Sequence, residues 1–248
     1  MKWFQNVKDR FQLTPALKEL KDFSPLTFAA ERVFFVFQFV SPANTLFGTR
    51  QQAHEKAKDD THMETITKQR GRWIDWYVLC WLFLLTVFAL LAPEAKGCIA
   101  FFCVAVPLFR VFDILQTAVN MTLFDHLRIP KRHSVSGITR TLFLSLWNYL
   151  EIVFSFGIVY SVLWPQIKYA TRPLHGYYLS VITQLTIGYG DLQPLGSVRI
   201  IAPLQGIVGF VFAILVIARF VMLMPRIGSV QKADLSGGIP PGEKESSK

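Results

Sequence analysis

Apolar residues in this chain gather into four long runs separated by short polar segments. The runs extend from about Ile74 to Ala92, Cys98 to Met121, Thr141 to Trp164 and Val198 to Met224. A helix rises about 1.5 Å per residue, so roughly 20 residues cross a hydrocarbon core about 30 Å thick. All four runs meet that length. Pro93 and Gly97 bracket a tight turn between the first two, which makes them an antiparallel hairpin. Trp73, Trp76, Tyr160 and Trp164 fall where an aromatic belt at the membrane surface would place them. Pro165 stops the third run.

Two shorter apolar stretches do not span. Between the third and fourth runs lies His175 to Asp191. Its first part, Tyr177 to Leu185, suits a helix of about two to three turns, too short to cross. Its second part sets two glycines around a tyrosine, which is poor helix material. A short helix followed by extended backbone between two spans predicts a re-entrant loop. Irregular backbone at membrane depth survives only when buried in protein or lining an aqueous path. The second stretch, Leu26 to Val40, is dense in phenylalanine and too short to span. It fits an interfacial helix, a re-entrant segment or a surface that packs on the spans. Gln51 to Arg72 is charged and compatible with a helix leading into the first span, and the tail from Gly228 has a disordered composition.

Composition agrees with a lipid solvent. The chain is 52% hydrophobic and 17% charged, with 22 Phe and 6 Trp, where a soluble domain carries about a quarter charged residues. The net charge of +9 would suit nucleic acid if it formed a patch, but it is spread between and beyond the apolar runs. Its distribution reports orientation instead. Twelve Lys or Arg lie in residues 1–72, four in the second loop (Arg128, Lys131, Arg132, Arg140) and four in the tail (Arg226, Lys232, Lys244, Lys248). The opposite side has Lys96, Lys168, Arg172 and Arg199. This asymmetry predicts a multi-pass protein of the cell membrane with both termini cytoplasmic, in contact with lipid and not with nucleic acid. The N-terminus, which opens Met-Lys-Trp-Phe, lacks the pattern of a secretory signal.

No nucleophile–base set or metal-ligand cluster stands out, so neither an enzyme nor an organic cofactor is expected. His54, His62, His126, His133 and His175 are scattered and are expected to be solvated loop residues. Cys80, Cys98 and Cys103 lack zinc-type spacing and are expected to be small buried apolar side chains.

Arg110 and Glu151 fall deep inside the spans. Arg110 lies 11 residues before Met121 and Glu151 lies 10 residues after Thr141, which puts both roughly 15 Å deep. An isolated charge there costs several kcal/mol by most scales, so each is expected to find a partner. Arg110 and Glu151 are expected to pair between the second and third spans, with Asp113, one turn from Arg110, sharing or competing.

The hexapeptide Thr186-Ile187-Gly188-Tyr189-Gly190-Asp191 resembles the signature selectivity filter of potassium channels. A potassium ion leaving water must be recoordinated by oxygens, so successive carbonyls must face one axis. Gly188 and Gly190 permit the backbone alternation that this needs. The resemblance covers about Thr141 to Met224, some third of the chain. It implies that Thr186, Ile187, Gly188, Tyr189 and Gly190 form the filter and that K+ is held at Thr186 to Tyr189. It also implies that Asp191 marks the outer mouth, with Ile187 and Tyr189 packing behind the strand. Pro194 follows as in many members, and Gly206 and Gly209 sit where the inner helix bends in that family. Close helix packing explains those glycines equally well. The chain departs from the family at Tyr178 and Leu179, where many members have two tryptophans. It departs again at Leu185, where the family often has threonine, and at Ile182, where some members have glutamate.

The resemblance implies an all-α membrane protein with four transmembrane helices and a re-entrant pore helix and filter loop between the third and fourth. The organisation expected is a cytoplasmic N-terminal region at 1–72 and a two-helix hairpin with its loop at 73–140. A pore domain at 141–224 and a disordered tail at 225–248 complete it. One filter motif per chain implies a homotetramer. The function implied is passive, K+-selective conduction. The rivals are a non-selective cation channel, which Tyr189 opposes, and a subunit of an active potassium transporter, in which filter-like loops come four to a chain. The hairpin has no arginine repeat for voltage sensing, and with 24 residues after Met224 no folded ligand-binding domain is expected there. A regulator is therefore expected in the N-terminal 72 residues or in a separate cytoplasmic protein.

Overall fold

The computed structural model describes residues 24–37, 41–42, 60–124 and 138–223. The tail at 225–248, the loop bearing Arg128, Lys131 and Arg132, and most of the region before Asp60 lie outside the described residues.

The described residues form six α-helices. They are α1 (Pro25–Phe37), α2 (Asp60–Leu91), α3 (Gly97–Val119), α4 (Ile138–Val162), α5 (His175–Gln184) and α6 (Val198–Leu223). A π-turn over Asn120–Phe124 extends α3, and a two-residue strand β1 (Ile167–Lys168) pairs antiparallel with β2 (Gln193–Pro194). Four segments are long and apolar enough to cross a membrane: Gly71–Glu94, Gly97–Phe124, Arg140–Val162 and Val198–Met222. The protein is an all-α, multi-pass membrane protein, with spans within a few residues of those legible in the sequence. The expected charged lead-in is helical from Asp60, so α2 runs 32 residues without a break.

Helix α4 is the centre of the packing. Ile152, Phe156 and Tyr160 on α4 meet Val111 and Ile114 of α3, Leu179 and Ile182 of α5, and Phe212 of α6. A smaller cluster of Leu85, Ala92 and Ile158 fastens α2 to the other side of α4. Large apolar side chains such as Phe83, Phe101 and Phe143 point outward, where lipid is the solvent. That inversion also corrects one expectation: Cys103 is buried, but Cys80 and Cys98 are exposed. A thiol is apolar enough to face acyl chains, so lying in an apolar run does not place a residue inside.

Of the three roles open to Leu26–Val40, the described part packs on a span. Helix α1 lies along the end of α3, with Phe34 5.8 Å from Phe124 and Phe37 5.4 Å from Phe112, ring centre to ring centre. Side-chain amides on α3 and its π-turn donate to α1 carbonyls: Asn120 to Phe34 at 3.2 Å and Gln116 to Phe37 at 3.4 Å. Leu26, Val33 and Val36 are exposed on α1.

The short helix α5 is seated on α4 through two glycines. Gly157 of α4 lies against the Tyr177 ring, and Gly176 of α5 lies against the backbone of Tyr160 and Ser161. A Cβ at Gly176 would overlap main-chain atoms that cannot rotate away. Gly176→Ala is therefore expected to lift α5 from α4 and to cost about 1–3 kcal/mol. A lowered thermal midpoint of the purified protein checks this, and an unchanged one would show that the seat yields.

Candidate functional site

Helix α5 has ten residues, about 15 Å of rise, so it ends within the thickness of a membrane. Its last turn hands the chain over through three backbone hydrogen bonds. The amides of Leu185, Thr186 and Ile187 donate to the carbonyls of Val181 (3.0 Å), Thr183 (3.2 Å) and Ile182 (2.9 Å). Beyond them the backbone alternates in handedness. Thr186, Gly188 and Gly190 have φ of 55°, 59° and 79°, while Ile187 and Tyr189 between them stay out of the positive region.

In a strand successive carbonyls point to opposite sides. Reversing the hand of every second residue brings them toward one side, which is what a row of ion-coordinating oxygens requires. Glycine adopts positive φ without steric cost, whereas a residue with a Cβ costs roughly 1–2 kcal/mol there. The two glycines were legible in the sequence, but the strained Thr186 was not, since threonine rarely takes this conformation.

The loop is held at both flanks. Beyond it, the β1–β2 pairing sets Ile167 opposite Pro194 and Lys168 opposite Gln193. The Gln166 side chain accepts from the Ser197 amide at 2.7 Å and its hydroxyl at 2.8 Å. At the mouth, the Tyr178 hydroxyl donates to Asp191 Oδ2 at 2.8 Å. That hydrogen bond raises the Tyr178 phenol above its ordinary pKa. Ile187 and Tyr189 are 43% and 70% exposed, so the described residues leave much of both side chains uncovered.

Helix α6 runs unbroken through Gly206 and Gly209. A Cβ at Gly206 would meet open space among the described residues. Gly209 lies directly against the Gln184 side-chain amide, and a Cβ there would collide with it. This contact fits the close-packing reading of Gly209. The sequence reading passed over Gln205, a fully buried amide one turn away; its signal was a lone glutamine in an otherwise apolar span.

The buried charges meet behind α4. Arg110 Nη2 lies 2.7 Å from Glu151 Oε2, and Arg110 Nη1 lies 2.8 Å from Asp113 Oδ2. One guanidinium bridges two carboxylates, and all three residues are buried. Trp147 donates to Glu151 Oε1 at 2.8 Å, Tyr77 to Asp113 Oδ2 at 2.7 Å and Ser41 to Asp113 Oδ1 at 2.5 Å. The guanidinium also stands 5.2 Å from the Tyr77 and Trp81 ring centres. Of these supports, only Trp147 had a sequence signal, one helical turn before Glu151.

A bundle of apolar spans that encloses a re-entrant helix and a loop of alternating hand defines a multi-pass membrane protein with an ion-channel domain. Residues 148–225 match the family described as Ion channel. That stretch begins within α4, takes in α5 and the loop, and ends just past α6. The match points to a channel and away from an enzyme. No curated protein and no solved structure matches the chain.

Glu151→Gln takes one of the two carboxylates from Arg110 and so breaks a charged tie between α3 and α4, while Asp113 still balances the arginine. Glu151→Gln is expected to lower the yield of assembled protein sharply while leaving the conductance of each assembled channel near its original value. Size-exclusion profiles and single-channel recording check the two halves. Normal assembly with altered voltage dependence would assign the pair to gating instead.

Proposed function

We propose that this chain is one subunit of a potassium-selective channel, with four copies arranged around one pore. The observation that carries the reading is the alternation of hand at Thr186, Gly188 and Gly190, at the end of a short helix held between two spans. In that arrangement the carbonyls of Thr186, Ile187, Gly188 and Tyr189 replace the hydration shell of K+, the Thr186 hydroxyl adds an oxygen at the inner end, and ions displace one another along the row. Asp191, tied to Tyr178, marks the outer mouth. The exposure of Ile187 and Tyr189 in a single chain fits side chains that neighbouring copies cover, as closed fourfold symmetry requires.

The charge distribution orients the protein in the cell membrane with both termini cytoplasmic. Helix α1 then lies at the inner side of the spans, where a cytoplasmic regulator can reach it. Lipid surrounds the outward apolar faces.

Purified protein in liposomes tests the reading. Potassium flux is expected to exceed sodium flux well over tenfold, since the filter reads ion size and field strength. Gly188→Ala or Gly190→Ala is expected to abolish conduction or the preference, because each puts a Cβ where φ is positive. Equal sodium and potassium flux through the unmodified protein would leave a non-selective cation channel.

A further inference from the structure

Helix α6 carries one amide in the middle of an apolar face. Gln205 is fully buried, as are Tyr160 and Ser180 beside it. Its Oε1 accepts from the Tyr160 hydroxyl at 2.8 Å. Its Nε2 reaches the Ser180 carbonyl at 2.9 Å, Ser180 Oγ at 3.0 Å and Gln184 Oε1 at 3.1 Å. Ser180 Oγ in turn donates to the Val153 carbonyl at 2.7 Å. One side chain of α6 therefore joins α4 to two successive turns of α5.

The orientation of both amides follows from their partners. A backbone carbonyl only accepts, so the Ser180 carbonyl fixes which end of Gln205 is the nitrogen. That nitrogen in turn requires the oxygen of Gln184, which leaves Gln184 Nε2 facing Gly209. Gln184 is the last residue of α5 and stands two residues before Thr186. The hydrogen bonds that start the loop, from the amides of Leu185, Thr186 and Ile187, depend on where this turn is held.

We propose that Gln205 is a specificity-determining positioning residue: it locks the end of the pore helix to the inner helix and so sets the place of Thr186, the first coordinating residue. This rests on the reading of residues 186–190 as the filter. The inner helix acts on the filter through this amide. A shift of α6 drags Gln184 and displaces the first ion site before the rest of the loop moves. Apolar packing alone tolerates small slips between helices, whereas the directional bonds that Gln205 makes to Ser180 and Gln184 are lost when the helices slip.

The test compares the unmodified full chain, Gln205→Leu, Gln184→Met and Tyr160→Phe in liposomes. The readings are the potassium-to-sodium flux ratio and hydrogen exchange at the amides of residues 185–187. Leucine removes every bond of Gln205 at similar volume. The flux ratio is expected to fall about tenfold and exchange at these amides to quicken about tenfold, the size of one to two net hydrogen bonds. Tyr160→Phe leaves the Nε2 bonds intact and is expected to change either reading less than about threefold. A Gln205→Leu protein that assembles with the original ratio and exchange overturns the proposal. If that variant does not assemble, Gln184→Met decides: a lower ratio with faster exchange supports positioning, and no change overturns it. Should the unmodified chain pass both ions equally, the potassium reading falls on that measurement alone. Exchange at residues 185–187 then still shows whether Gln205 holds the loop.

Discussion

A ten-residue helix that starts and stops inside a bundle cannot hold itself, so the site depends on how tightly α5 is pressed onto α4. The contact works because two glycines bring main chain to main chain and ring to main chain, at Gly176 and Gly157. The Ser180 hydroxyl then bonds the Val153 carbonyl across the same interface. Close backbone approach of this kind is a recurrent basis of helix association in membranes, where apolar burial alone offers little preference for protein over lipid. From this seat the last turn of α5 is aimed, and from that turn the loop takes its first three hydrogen bonds. A shift of the seat moves everything after Gln184.

The two other spans brace this core from behind. The fork of Arg110 onto Glu151 and Asp113 fastens α3 to α4 at a depth where hydration is absent and each unpaired charge costs several kcal/mol. Ser41 completes the acceptors of Asp113, so a residue outside the spans is bonded to the same cluster. At the other end of α3, the Thr122 hydroxyl reaches the Leu215 carbonyl at 3.5 Å, and Arg219 donates to the Met121 carbonyl at 3.0 Å. The π-turn therefore grips the far end of α6, while α1 packs on the same turn through Phe34. The N-terminal segment has a continuous path of contacts to both α4 and α6.

Much of this architecture was legible because membrane physics writes it in residue type. Four spans, the turn at Pro93 to Gly97, and the re-entrant segment with its Gly-Tyr-Gly follow from length, breakers and the need to satisfy backbone groups. Arg110 and Glu151 could be matched by counting depth, since charges at the same level must meet something. What the sequence did not disclose are supports whose residue types are common. Ser41 and Tyr77 bond Asp113, but serine and tyrosine occur throughout the chain. Gln205 was visible only as an anomaly, and the left-handed backbone at Thr186 runs against local preference. Gly209 illustrates the converse: its position suggested either bending or close packing, and its contact with the Gln184 amide could not be read from residue type.

The spacing of Arg110 and Asp113 also bears on how the chain is built. During synthesis α3 is complete before α4 exists, because Glu151 lies 41 residues beyond Arg110. An arginine entering the translocation machinery without an anion would hinder release into lipid. Asp113, three residues on and bonded to the same guanidinium, gives α3 a counter-ion of its own. The hairpin can therefore leave for the bilayer as an electrically balanced unit. Glu151 joins a pair that is already in place, and its arrival turns a separately inserted hairpin into the backing of the pore.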